Sequence, residues 1–85
     1  RKMNVEIYTV DYCPYCKKAL AFLNEHNVEY TQHKIDKDEA LWREKLAHMY
    51  DIKGDVTVPQ IIIDGKRIGG YSDLMEAYNS GCIKF

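Results

Sequence analysis

Val5-Glu6-Ile7-Tyr8-Thr9-Val10 alternates apolar and polar positions and is rich in β-branched and aromatic side chains, so it predicts a strand. Cys16, Ala19, Leu20 and Leu23 then recur at i, i+3, i+4 and i+7, the stripe of an amphipathic helix, with Lys17, Lys18 and Asn24 on other faces. Glu25-His26-Asn27 makes a polar break, and Val28 to Ile35 reads as a second strand with imperfect alternation. Two strands joined by a helix of this length form a right-handed βαβ unit and run parallel. Asp36 and Glu39 have the spacing of a capping box. From there Trp42, Leu46, Met49 and Tyr50 keep helical spacing, with Gly54 as the stop, and the aromatic and Met positions are read as core.

Asp64-Gly65 between apolar runs predicts a two-residue type I′ hairpin whose first strand is headed by Pro59, a position where no ladder donor is needed. Gly69-Gly70 lets the chain turn into a last helix capped by Ser72, with Leu74 and Tyr78 inward and Gly81 ending it. The order is β-α-β-α-β-β-α. It predicts an α/β fold with a four-stranded mixed sheet flanked by helices, without repeats, linkers or low-complexity segments.

Length and charge narrow the function. Eighty-five residues suit one domain, residues 1–85. A net charge of −1 with both signs mixed argues against nucleic acid or an acidic membrane as partner. No apolar run approaches a membrane span and no signal pattern opens the chain, so a cytoplasmic location is expected. Three cysteines, an odd number, do not read as a secreted disulfide framework. Arg1 and Lys2 precede Met3, which leaves open a native start at Met3 or trimmed ends.

The chemistry-bearing stretch is Tyr12-Cys13-Pro14-Tyr15-Cys16, where the strand meets the helix. Pro14 suits the first helical position, because its missing N–H costs nothing there and its φ is already helical. Cys13 is then the N-cap, facing the unpaired N–H groups and the positive end of the helix dipole, both of which favour a thiolate. It is expected to be the acidic, exposed nucleophile. Cys16 lies on the core stripe, where burial disfavours the charged form, and is expected to be the resolving thiol. Residues at i and i+3 of a helix sit roughly 5–6 Å apart, within reach of a disulfide. Three blander readings compete. A structural bridge closing so short a loop would constrain the unfolded chain little. A zinc site needs four ligands, and Cys82, His26, His33 and His48 offer no matching short spacing, so no metal is expected. Two unrelated buried thiols is the third. A C-x-x-C beside a βαβ pattern favours redox chemistry over all three.

Cys13-Pro14-Tyr15-Cys16 after a strand, Thr57-Val58-Pro59 before one, and Gly69-Gly70 with Ser72-Asp73 opening the final helix together resemble the glutaredoxins of the dithiol, C-P-Y-C type. The resemblance covers nearly the whole chain. It implies a thioredoxin-like fold and a glutathione-dependent disulfide oxidoreductase, with glutathione as reductant and co-substrate. It implies that Cys13 attacks and Cys16 resolves, and that Pro59 is a cis-proline presenting Val58 to glutathione. By the same likeness Tyr15 and Thr57 flank the groove, while Gly70, Ser72 and Asp73 anchor its γ-glutamyl end. Implied partners are disulfide-containing or glutathionylated proteins, ribonucleotide reductase among the candidates, and a monomer is expected.

The chain departs from the family at Val10, where many glutaredoxins carry a lysine that helps hold the thiolate and the glycyl carboxylate; Asp11 adds a negative charge nearby. Lys17, Lys18, Arg43 and Lys53 are candidate substitutes. Two rival readings follow: a thioredoxin-like redoxin recharged by a flavin-dependent reductase, and a dimer holding an iron–sulfur cluster through Cys13 and glutathione. Cys82, just past the last helix, is read as incidental.

Overall fold

The computed structural model describes residues 3–85. Arg1 and Lys2, on which the reading of the native start turns, lie outside the described residues.

Eight elements follow in order: β1 (Val5–Thr9), α1 (Pro14–Glu25), β2 (Thr31–Lys34), a 3-10 turn (Asp36–Asp38), α2 (Glu39–Tyr50), β3 (Gln60–Ile63), β4 (Lys66–Gly69) and α3 (Tyr71–Asn79). The sheet order is β2-β1-β3-β4. β1 runs parallel to β2, with Ile7 opposite Gln32, and antiparallel to β3, with Ile7 opposite Ile61. β3 and β4 form the expected hairpin: Asp64 and Gly65 both have positive φ, 51° and 79°, as a type I′ turn requires.

The strands alternate between two buried clusters, because successive side chains point to opposite faces. Val5, Ile7, Ile61 and Ile63 pack with Ala19 and Leu23 of α1 and Leu74 of α3. Tyr8, Val10 and Ile62 pack with Leu46 of α2, Ile35 and both cysteines of the motif. The sheet therefore has helices on both faces, and the dithiol closes the cluster on the α2 side.

Several boundaries differ from expectation for local reasons. β2 begins at Thr31 instead of Val28, because the end of α1 takes up the preceding residues. Asn27 sits at φ 55°, its N–H donates to the Asn24 carbonyl (3.1 Å), and the Val28 N–H donates to the Leu23 carbonyl (2.9 Å), a Schellman closure. α2 stops at Asp51 in the left-handed region (φ 53°), ahead of Gly54. The Asp36–Glu39 capping box does not form. Asp36 instead accepts the Asp11 N–H through Oδ2 (2.7 Å), and Glu39 turns toward Tyr12 and Arg43. Met49, expected in the core, is 56% exposed; Leu46 is the buried position of this helix. Ser72 does not cap α3, because Gly70 does. The predicted stop of α3 at Gly81 holds, with φ 84° just beyond the Ser80 C-cap.

Candidate active site

The strand-to-helix junction places Cys13 as the N-cap of α1 in extended conformation, with Pro14 the first helical residue. Cys13 and Cys16 are joined in a disulfide, with Cα atoms 5.2 Å apart. The Cys16 N–H donates to Cys13 Sγ at 3.0 Å. This is one of the orphan donors of the first helical turn, and a hydrogen bond to sulfur there favours its charged form once the bond is reduced. Cys16 is fully buried, as the stripe predicts, although it joins the α2-side cluster and not that of Ala19 and Leu23. Cys13 was expected to be exposed and is only 7% so. The loop before β3 covers it: Sγ lies 3.5 Å from the Val58 carbonyl oxygen.

That loop carries the cis Val58–Pro59 peptide. Next to it the Gln60 side chain donates to the Thr57 carbonyl (2.9 Å). Gln60 Oε1 is buried without a hydrogen-bond donor among the described residues. A groove of about 420 Å³ opens beside the loop and gathers Tyr15, Thr57, Val58, Pro59, Gly70, Ser72 and Asp73 from three separate stretches of chain. Every groove residue singled out from the sequence is thus on one wall or another. Ile52, Asp55, Gln60, Arg67 and Tyr71 line the same groove and were missed, and Lys53, named from the sequence as a candidate cation, lines it too. Two of them were findable by adjacency, since Gln60 follows Pro59 and Tyr71 sits between Gly70 and Ser72.

The far end of the groove is the start of α3. The Gly70 N–H donates to Asp73 Oδ2 (2.9 Å), so the carboxylate reaches back over the helix end. Gly69, at φ 119°, has to be glycine on two counts: the backbone conformation, and a Cβ there would collide with the Asp73 carboxylate. Tyr15, from the first turn of α1, stacks on Tyr71 with centroids 6.2 Å apart and closes the groove between the two helix ends.

Val10 does not present a charge to the site; it is 3% exposed and packed with Tyr8 and the cysteines. Of the candidate substitutes, Lys18 lies over the Tyr15 ring at 5.2 Å and Arg43 is engaged by Glu39, whereas Lys53 lines the groove, its Nζ 2.8 Å from Asp51 Oδ1. Asp11 is met by Lys34 Nζ at 3.4 Å.

A C-x-x-C disulfide starting at a helix N-cap and facing a cis-proline loop on a mixed four-stranded sheet defines a thiol–disulfide oxidoreductase of thioredoxin-like fold. The glutaredoxin family model matches residues 5–68. Glutaredoxin 3 of Escherichia coli K12 is 45% identical over 71 residues, spanning 84% of this chain and 81% of the relative. The chain belongs to the glutaredoxin family. Among solved structures, glutaredoxin 1 from Francisella tularensis, crystallised with cacodylate, superposes with a TM-score of 0.83 at 29% identity, over 96% of this chain and 99% of that one. A buckwheat glutaredoxin–glutathione complex shares the fold at 24% identity, with a TM-score of 0.79 over 91% of this chain and 69% of that one.

Proposed function

We propose that this protein uses glutathione to reduce protein disulfides and glutathione mixed disulfides through Cys13 and Cys16. The observation that carries this reading is one groove lined by Tyr15 of the dithiol motif, the Val58 backbone and Asp73 at the start of α3, with Cys13 Sγ 3.5 Å from the Val58 carbonyl on its wall. A tripeptide with a thiol in its middle, a carboxylate at one end and a zwitterionic γ-glutamyl group at the other fits that sequence of features. The Val58 main chain offers strand-like pairing to the cysteinyl unit. Asp73 suits the ammonium, and the N–H groups that open α3 suit the adjacent carboxylate. Lys53 supplies a cation for the glycyl end in place of the family's lysine.

In the cycle, the Cys13 thiolate attacks a sulfur of the substrate disulfide; the S–S bond breaks and the second sulfur leaves as a thiolate that takes up a proton. The mixed disulfide on Cys13 is resolved in one of two ways. A glutathione thiolate attacks the glutathionyl sulfur, releasing Cys13 and oxidised glutathione. Alternatively, Cys16 loses its proton and attacks Cys13 Sγ; the bond from Cys13 to the substrate sulfur breaks, that sulfur leaves as a thiolate and takes up a proton, and the Cys13–Cys16 bond seen here forms. Two glutathione molecules then return that bond to the dithiol with one oxidised glutathione released. Either route moves two electrons from glutathione to substrate.

The test is NADPH consumption coupled through glutathione and glutathione reductase on a small glutathione mixed disulfide, beside a thioredoxin reductase arm. Turnover in the glutathione arm is expected. Turnover only in the thioredoxin reductase arm would assign the protein to a redoxin with a different electron donor.

A further inference from the structure

Tyr12, Glu39 and Arg43 form a network beside the dithiol that the cycle above does not use. The Tyr12 hydroxyl donates to the Glu39 carboxylate, 2.5 and 2.6 Å from its two oxygens. Arg43, one helical turn further along α2, donates to Glu39 Oε2 through Nε (3.1 Å) and Nη2 (2.8 Å). Its remaining fork atom, Nη1, donates to the Val56 carbonyl. One carboxylate and one guanidinium on α2 thus hold two loops at once: the residue that precedes Cys13, and the strand approach that continues through Thr57 to Val58 and Pro59.

Those two loops face each other across the nucleophile, with Cys13 Sγ 3.5 Å from the Val58 carbonyl. The Asp11 N–H, held by Asp36, ties the first loop to the same side of the molecule a second time. The Glu39–Arg43 pair is about a third exposed, 28% and 31%. Partly exposed i,i+4 pairs add little to stability. Placement is a different matter, since displacing reacting groups by about 1 Å can cost up to about a hundredfold in rate.

We propose that Tyr12, Glu39 and Arg43 act as a clip that sets the spacing between Cys13 and the Val58 backbone, making them positioning residues for the exchange reaction. This rests on the groove being the substrate site. The clip touches no reacting atom; it acts through the two loops it joins. Substrate that pairs with the Val58 main chain meets Cys13 in register only while both legs of the clip are made.

The test compares wild type with Tyr12→Phe, Arg43→Lys and the double variant. Each is assayed for kcat and KM on a small glutathione mixed disulfide, and for insulin disulfide reduction with dithiothreitol as electron donor. Alkylation of reduced Cys13 by iodoacetamide, read by peptide mass spectrometry, reports thiol reactivity without the Val58 contact. Each single variant is expected to raise KM and lower kcat/KM about tenfold in whichever substrate arm wild type is active. Cys13 alkylation stays within about twofold, and the double variant is no worse than the worse single one, because losing either leg opens the clip. Wild type silent on the glutathione substrate but active on insulin overturns the glutathione reading alone, and the clip is then judged on insulin. Tyr12 is 68% exposed, so Tyr12→Phe retains the fold. Unchanged kcat/KM in that variant overturns the clip. So do losses that add in the double variant, or alkylation that falls in step with turnover.

Discussion

Two helix N-termini open onto the same groove and are capped in opposite ways. At α1 the cap is the sulfur of Cys13, which receives the Cys16 N–H at 3.0 Å. At α3 the cap is the backbone of Gly70, and Asp73 reaches back from the first turn to hold the Gly70 N–H at 2.9 Å. The first arrangement directs the helix end at an atom of the protein that must carry negative charge during the reaction. The second braces the helix with its own carboxylate and leaves the remaining first-turn N–H groups for something outside the chain. On the function proposed above, one helix end prepares a nucleophile and the other a docking point, with the same unsatisfied backbone groups serving both.

The sharpest way to break this division is to remove the sulfur. Cys13→Ser keeps a side chain able to cap α1, so thermal unfolding should change little. Turnover in the coupled assay should fall at least about a thousandfold, because a serine hydroxyl does not replace the thiolate. Residual turnover near wild type would place the nucleophile elsewhere. At the opposite helix, Asp73→Asn retains an acceptor for the Gly70 N–H and removes only the charge. KM for a glutathione mixed disulfide should rise about tenfold with an unchanged melting temperature. Asp73→Ala should lose the brace as well, lowering stability by about 1 kcal/mol. Equal KM in the Asn and wild-type proteins would mean that Asp73 only caps.

Smaller effects test the groove between the two ends. Lys53→Ala should raise KM roughly two- to fivefold, more at low salt than at high, as expected of an exposed cation. The smallest effect is on pH. The Tyr12 hydrogen bond, helped by Arg43, holds the Glu39 carboxyl below the usual glutamate range, against partial burial and the charge of Asp36. The same contact, led by the Glu39 hydrogen bond, holds the Tyr12 phenol above its usual range, with Arg43 opposing. A depressed carboxyl contributes stability that is present above its unfolded pKa and lost as pH falls through the folded value; a raised phenol contributes below its unfolded pKa and loses it as pH rises through the folded one. Tyr12→Phe should therefore lower the melting temperature slightly between those limits and converge on wild type in acid and in strong base. A constant offset across the whole range would contradict the linkage.

How much of this was legible in the sequence depended on whether a feature is local. The Cys13 cap with Pro14 behind it, the Asp64-Gly65 turn and the order of elements are all short-range patterns, and each appears where the residues placed it. The errors arose where two local signals competed for the same residues. Val28 looked like a strand residue by its side chain, but its N–H belongs to the end of α1. Asp36 and Glu39 had capping spacing, but both side chains found partners in the dithiol loop. Ser72 is a stronger cap by type than Gly70, yet Asp73 satisfies the Gly70 N–H and the helix starts earlier. The burial of Cys13, and the presence of Lys53 and Arg67 in the groove, depend on segments far apart in the chain meeting in space, which no spacing rule encodes.

Val10 gives the site a direction of change. Because its side chain is packed among Tyr8, Cys13 and Cys16, its neighbours have closed around an isopropyl group. A lysine introduced there would have to carry its ammonium out past those neighbours or leave it desolvated. Cations that arise on the loop around Lys53 meet no such barrier, since that surface is open. The groove's charge can thus be retuned from the rim far more readily than from the strand, where a cation at position 10 would first need the packed cluster around Val10 to open.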